Sequence, residues 1–397
     1  MKYTGQALED ALSRLRQQLL WRTRSQVRGR IPGRRACLVE GQELIDFSSN
    51  DYLGLAQHPA LIKAMADSAL SSGTGSGASH LVTGHGTQHG LLEEELASFT
   101  GRSRALLFST GYMANLAVLT TFASRGERVL LDRLSHASLI DGARLSGARL
   151  LRYTHNDARA VRQLLHAHAH CTLIATDGLF SMDGDVAPVA DLARLAHAHH
   201  AWFVVDDAHG LGVLGATGGG TLEAAGLTQD EVPLLVGTLG KAFGSFGAFV
   251  AGPDPVIELL MQRARSYIYT TALPEPVAAA TRQALATLRE ESWRRERVLA
   301  LVARLRAQLY GLPMTASVSP IQPVILASNR AVLSVQRRLQ EAGFWVVAIR
   351  SPTVPKGAER LRITLSAAHT EDEVDRLATS LRRACAELDL QPQTANA

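Results

Sequence analysis

The chain has 397 residues, 46% of them apolar and 20% charged, and a net charge of +4. That balance is globular rather than disordered, and the length suits a main domain with a smaller one. Arginines are scattered over several segments without a Lys/Arg block, which speaks against a nucleic-acid partner.

Cys37, Cys171 and Cys385 are far apart and odd in number, so no metal or redox motif is expected and a reducing cytoplasm is the expected home. The first residues lack the apolar run and small-residue site of a signal peptide. The apolar window 232–253 is long enough to cross a membrane, but its central Lys241 and its glycines argue against that.

In chain order, residues 1–30 read as an amphipathic arm, with Leu8, Leu12, Leu15, Leu19 and Leu20 at helical spacing. Arg22, Arg24 and Arg28 read as a solvated face. Residues 36–47 read as a hairpin around Gly41, and Asn50 and Asp51 as turn formers. A helix is expected over 58–70. The stretch 73–90 is rich in glycine, which suits close approach to a ligand or a partner chain, yet it fits neither a Walker nor a dinucleotide pattern. Another helix starts near Gln88.

From 104 to 250 strands alternate with helices. The strands are expected at 105–109, 128–132, 148–153, 171–178, 201–207, 233–239 and 248–252. Such alternation predicts an α/β fold with a mostly parallel sheet flanked by helices. Ligands of open α/β sheets sit beyond the carboxyl ends of the strands, so the residues just past each strand matter most. After the first comes Gly111-Tyr112, where a helix start offers N–H groups to a phosphate. After the second comes His136, for which two readings stand: a ring to stack on a ligand, or a helix cap. Ser181 lies in a polar loop at the same rim. Asp206, Asp207 and His209 end the 201–207 strand, and two carboxylates with a histidine are costly to bury for structure alone. Thr238 and Lys241 follow the 233–239 strand. Lys241 is the only charge in its window, and a desolvated lysine gives up its proton to become a Schiff-base nucleophile.

The remaining histidines form no ligand register. His166, His168 and His170, and His197, His199 and His200, read as exposed, and no metal site is expected. Beyond Pro274 come one or two long helices over 276–310, strands at 321–327, 344–349 and 359–366, and helices at 330–342 and 371–388, the last capped by Thr370. This predicts a small α+β domain, in which Arg362 reads as a surface residue unless it meets a carboxylate. The expected division is an arm 1–46, a large domain 47–285 and a small domain 286–397. The tail 391–397 is expected to be disordered.

One chemistry uses these parts together. Pyridoxal phosphate carries an aldehyde for a lysine, a phosphate for a helix start, a ring to stack on and a pyridinium nitrogen that needs an anion. The motifs FSSNDYLGL (47–55), GTGSGAS (73–79), LFSTGYMAN (107–115), DRLSHASLIDG (132–142), LFSMDGD (179–185), VVDDAHGLGVLG (204–215), TLGKAFG (238–244) and YIYTTALP (267–274) resemble those of the α-oxoamine synthases, fold type I pyridoxal-phosphate enzymes. The resemblance covers nearly the whole chain; Ala78 and His80 depart from the family's usual Gly and Arg.

The resemblance implies that Lys241 anchors the cofactor and that Asp206 pairs with the pyridinium nitrogen. It implies that His209 meets the phenolic oxygen and that His136 stacks on the ring, facing cofactor and substrate alike. Gly111 and Tyr112 would hold the phosphate side, and Ser181 and Thr238 would complete the pocket. Arg22, Asn50, Thr353 and Arg362 would contact substrate. The segment 267–274 would reach into a neighbouring subunit's site, giving a homodimer with shared active sites. The stretch 348–370 favours the family member of biotin biosynthesis, which condenses L-alanine with a pimeloyl thioester carried on CoA or acyl-carrier protein. Glycine C-acetyltransferase, 5-aminolevulinate synthase and serine palmitoyltransferase share the cofactor residues. A non-catalytic binding protein of the same fold is the reading from another class, and the intact Lys241, Asp206 and His136 set speaks against it.

Overall fold

Two units divide the chain: Asn50–Leu299, and Met1–Ser49 together with Ala300–Ala397. The computed structural model describes residues 5–18, 20–30, 36–168 and 171–388. The expectations for Leu19, His170 and the tail 391–397 fall outside the described residues, as does the side chain of Arg28.

In the smaller unit the amphipathic helix α1 (Gly5–Gln17) precedes strands β1 (Val27–Arg30), β2 (Ala36–Val39) and β3 (Gln42–Asp46). The β2–β3 hairpin turns through Glu40 and Gly41, both at positive φ. Phe344–Trp345 pairs parallel to β3. These three strands therefore share a sheet with a C-terminal segment. The sequence VRGR of β1 offers one apolar residue, so no alternation announces that strand.

The run expected as one strand over 344–349 is two. Phe344–Trp345 joins β3, and Val347–Ile349 joins Arg360–Thr364 in a second, three-stranded sheet completed by Ile321–Ile325. Arg362 lies on the central strand of that sheet and is 5% exposed, not a surface residue; its Nη1 donates to Thr364 Oγ1 at 3.0 Å. The helix Glu371–Ala386 starts with the expected cap: Thr370 Oγ1 accepts from Glu373 N, and the Glu373 carboxylate accepts from Thr370 N.

The larger unit carries α2 (Pro59–Ser72), α3 (Thr87–Thr100), α4 (Gly111–Phe122) and α5 (Ala137–Ser146). Its strands are β4 (Arg104–Phe108), β5 (Arg128–Asp132), β6 (Arg149–Tyr153), β7 (Cys171–Asp177), β8 (Trp202–Asp206), β9 (Leu234–Thr238) and β10 (Ala248–Gly252). They form one sheet of order β4-β10-β9-β8-β7-β5-β6, parallel except for β10, which runs against both neighbours. Side chains alternate across it as the strand period demands. Leu131, Ala175, Val204 and Val236 pack with α4 and α5 on one face. Leu130, Ile174, Val205 and Leu235 pack with Val161, Leu165 and Leu192 on the other. Both faces are dry, which is why these strands read as continuous apolar runs. A five-residue π-helix, His80–Gly84, interrupts the glycine-rich stretch, and nothing in its sequence foretold it.

Candidate active site

The carboxyl ends of β5, β7 and β8 carry Asp132, Asp177 and Asp206 along one edge of the sheet, with Thr238 ending β9. The β-register places Asp177 directly beside Asp206. Burial, and then the Asp206 charge, push the Asp177 carboxyl well above its ordinary range, while the backbone N–H of His136 donates to its Oδ2 at 3.0 Å. Asp206 takes N–H donors on both oxygens: Ala208 N on Oδ1 at 3.1 Å and Asn115 Nδ2 on Oδ2 at 2.6 Å. That suits an anion, which only accepts.

Lys241 follows β9, half-buried, with Nζ 2.7 Å from His209 Nε2. The other ring nitrogen of His209 lies 2.6 Å from Tyr52 Oη, and that hydroxyl donates to Asn50 Oδ1 at 3.3 Å. The lysine thus has partners in space that its sequence window lacks.

His136 takes the cap position that was one of its two readings. Its Nδ1 accepts from Ser138 N at 3.3 Å, capping α5, and its ring lies within the electrostatic reach of Asp206 and Lys241. Burial pulls its pKa below the ordinary value, with Lys241 adding to that and Asp206 and Asp141 opposing it.

Gly111 opens α4, where Thr110 Oγ1 accepts from Met113 N. The earlier N–H groups are those a helix leaves unpaired, and a side chain built at Gly111 would meet nothing within 4 Å. Tyr112 is 43% exposed and its hydroxyl donates to Asp141. Ser181 lies in a loop closed by Phe180 N donating to Asp185 O at 3.0 Å and Gly184 N to Phe180 O at 2.9 Å. Thr238 Oγ1 donates to Gly247 O at 3.1 Å, tying β9 to the start of β10.

Arg22, Thr353 and Arg362 belong to the other unit. There Arg22 Nη2 donates to Thr353 Oγ1 at 3.5 Å, so two residues far apart in sequence meet. The neighbouring Asp207 has a separate role. It is fully buried, its Oδ2 accepts from Thr221 N at 2.7 Å, and burial pushes its carboxyl up to about 7.

Sequence reading missed Tyr52, Asn115 and Ser138. Asn115 left a trace: it is the lone amide in the mostly apolar helix GYMANLAVLTTF. Tyr52 left none, because a tyrosine beside Leu53 reads as core.

Among the described residues no group of His, Cys, Asp and Glu is arranged to hold a metal. The donor set fits pyridoxal phosphate. An amine stands ready for the aldehyde, an acceptor-only carboxylate for the pyridinium and an open helix start for the phosphate.

The profile of the family described as Aminotransferase class I and II matches residues 42–381. The 8-amino-7-oxononanoate synthase of Saccharophagus degradans is 51% identical over 387 residues, 97% of this chain and 96% of that protein. That of Stutzerimonas stutzeri is 57% identical over 86% of this chain and 88% of its own. Among solved structures, a serine palmitoyltransferase of S. paucimobilis with bound PLP–myriocin aldimine superposes with a TM-score of 0.91 at 28% identity, covering 96% of this chain and 97% of that one. Pyridoxal phosphate is the cofactor of this fold type I group. The chain belongs to the 8-amino-7-oxononanoate synthases, within the aminotransferase class I and II family.

Proposed function

We propose that this protein condenses L-alanine with a pimeloyl thioester, giving 8-amino-7-oxononanoate, carbon dioxide and the free thiol, a step of biotin biosynthesis. The observation that carries the reading is the identity of 51% to a named synthase over 97% of the chain, against 28% for a serine palmitoyltransferase of the same fold.

Pyridoxal phosphate, when bound, supplies an electron sink for the negative charge that develops at the alanine Cα. Lys241 Nζ would anchor the cofactor and, as a free amine, would take the Cα proton and return one after carbon dioxide leaves. His209 sits 2.7 Å from that amine, placed to accept or return its proton. Asp206 would hold the pyridinium nitrogen, and His136 would cover the ring. Gly111 and Tyr112 would hold the phosphate side, with Ser181 and Thr238 completing the pocket. Arg22, Asn50, Thr353 and Arg362 take the substrate roles that the resemblance implies.

The protein acts as a cytoplasmic homodimer. Supporting this, Leu81, Val82 and Tyr269 are apolar side chains 49%, 73% and 69% exposed, on two segments bridged at Ser79 and Thr271. No helix among the described residues is long and apolar enough to cross a membrane. The donor is a thioester of CoA or of acyl-carrier protein.

The test is thiol release from a panel of amino acids and acyl thioesters. L-Alanine with pimeloyl thioester is the expected best pair, and preference for glycine with acetyl-CoA overturns the assignment. Lys241→Ala should lose the cofactor's covalent attachment; a retained covalent link would refute the anchor.

A further inference from the structure

We infer that Asn115 and Ser138 are positioning residues that tie His136 to Asp206 and thereby fix one tautomer and one orientation of the His136 ring. This rests on the reading that Asp206 and His136 hold the cofactor.

The four groups form a chain whose direction can be read from chemistry alone. Asn115 is fully buried on α4. One of its side-chain atoms lies 2.6 Å from Asp206 Oδ2 and 2.8 Å from Ser138 Oγ. A carboxylate only accepts, so that atom is the amide nitrogen, and its two N–H groups serve Asp206 and Ser138. The Ser138 oxygen thus accepts from Asn115, and its own proton goes to His136 Nδ1, 2.7 Å away. The backbone N–H of Ser138 donates to the same nitrogen at 3.3 Å. With two donors on Nδ1, the proton of the neutral imidazole sits on Nε2.

Packing does not require this arrangement. No donor among the described residues reaches Asn115 Oδ1, which is buried. A leucine of similar size would avoid that cost. The amide is kept for its two N–H groups. The groups that face His136 are Asp206 from β8, Lys241 after β9, Asp141 on its own helix and Asp177 from β7. Burial outweighs the others and favours the neutral ring. A neutral ring of fixed orientation would lie against a bound pyridinium without repulsion, and the same amide holds the carboxylate that would meet the pyridinium nitrogen.

The experiment is nitrogen NMR on the histidine-labelled protein, with and without pyridoxal phosphate. The His136 signals are identified by their loss in His136→Asn. In the wild type near neutral pH, Nδ1 is expected to be unprotonated and Nε2 protonated. Asn115→Leu or Ser138→Ala should move His136 toward a mixture of tautomers and weaken cofactor retention roughly tenfold. If Asn115→Leu does not fold, Ser138→Ala decides. A protonated Nδ1 in the wild type, or an unchanged tautomer in both variants, overturns the inference. The tautomer is read without the cofactor, so a protein that fixes the ring yet binds no pyridoxal phosphate would refute the cofactor reading alone.

Discussion

Lys241 Nζ lies 2.7 Å from His209 Nε2, and this contact sets the direction of hydrogen bonding as far as Asn50. A protonated amine has donors only, so Nε2 accepts, Nδ1 carries the proton and donates to Tyr52, and Tyr52 donates on to Asn50. When the amine is neutral, Tyr52 can donate to Nδ1 instead and the His209 Nε2–H turns toward Lys241. Tyr52 is thus the outer member of a reversible relay. Tyr52→Phe should lower kcat by up to about tenfold, the worth of one hydrogen bond, and move the pH profile of kcat while the cofactor stays bound. An unchanged rate and profile would remove Tyr52 from the chemistry.

Asp206 and Asp207 are neighbours in sequence with different partners, Asn115 and Ala208 for the first and Thr221 for the second. Asp206→Asn should leave the fold intact and cost roughly 10²–10³ in kcat, the scale of a lost electrostatic partner. Asp207→Ala should act on stability. It leaves Thr221 N without an acceptor and costs about 1–3 kcal/mol, read as a lower unfolding midpoint in urea. An Asp207→Ala protein of wild-type stability would contradict the structural role.

The strands that carry the site were legible because both faces of the sheet are dry. Runs such as RVLLD and AWFVVDD have no polar alternation to confuse them, and β5 and β10 begin and end where expected. Lys241 was legible because it is alone. The relay behind it was not, since Tyr52 and His209 are 157 residues apart and only the folded sheet edge joins them. Asn115 and Ser138 were hidden for a related reason. Their polarity is spent on each other and on Asp206 and His136, partners that only the fold brings together. The split of 344–349 between two sheets was illegible because FWVVAI is apolar throughout and carries no mark of where its pairing changes.

The closeness of α4 and α5 depends on Gly142. A Cβ there would stand 2.9 Å from Leu119 Cβ and 3.2 Å from Asn115 O. Alanine gains about 1 kcal/mol of helix propensity over glycine, while overpacking costs roughly 1–3 kcal/mol. The clash should win, giving a net loss of about 1 kcal/mol on this balance, and it should loosen the Asn115–Ser138 bond as the helices part. Thermal unfolding with cofactor titration checks this. A Gly142→Ala protein with a raised Tm would show that the helices have room to spare.

His155 stands between two carboxylates, with Nδ1 3.0 Å from Asp132 Oδ1 and Nε2 2.8 Å from Asp185 Oδ2. Both ring nitrogens face acceptors, which only an imidazolium satisfies. Burial pulls its pKa down, but the bonds to Asp132 and Asp185 outweigh that and hold it at about 10. The folded value lies above the unfolded one, near 6.5. The stabilisation is therefore complete below that pH and is lost as pH rises through about 10. Glu93 and Asp207, whose carboxyls burial pushes to about 7, and Asp177, which burial also raises, add slope of the same sign, so His155 is read from the difference between wild type and variant. The unfolding midpoint of the wild type should fall as pH rises from roughly 7 to 9, and His155→Gln should flatten that slope. Asp185 lies in the loop of Ser181, so the variant should also loosen the cofactor-side rim. An identical pH slope in wild type and variant would show that His155 is not the clamp.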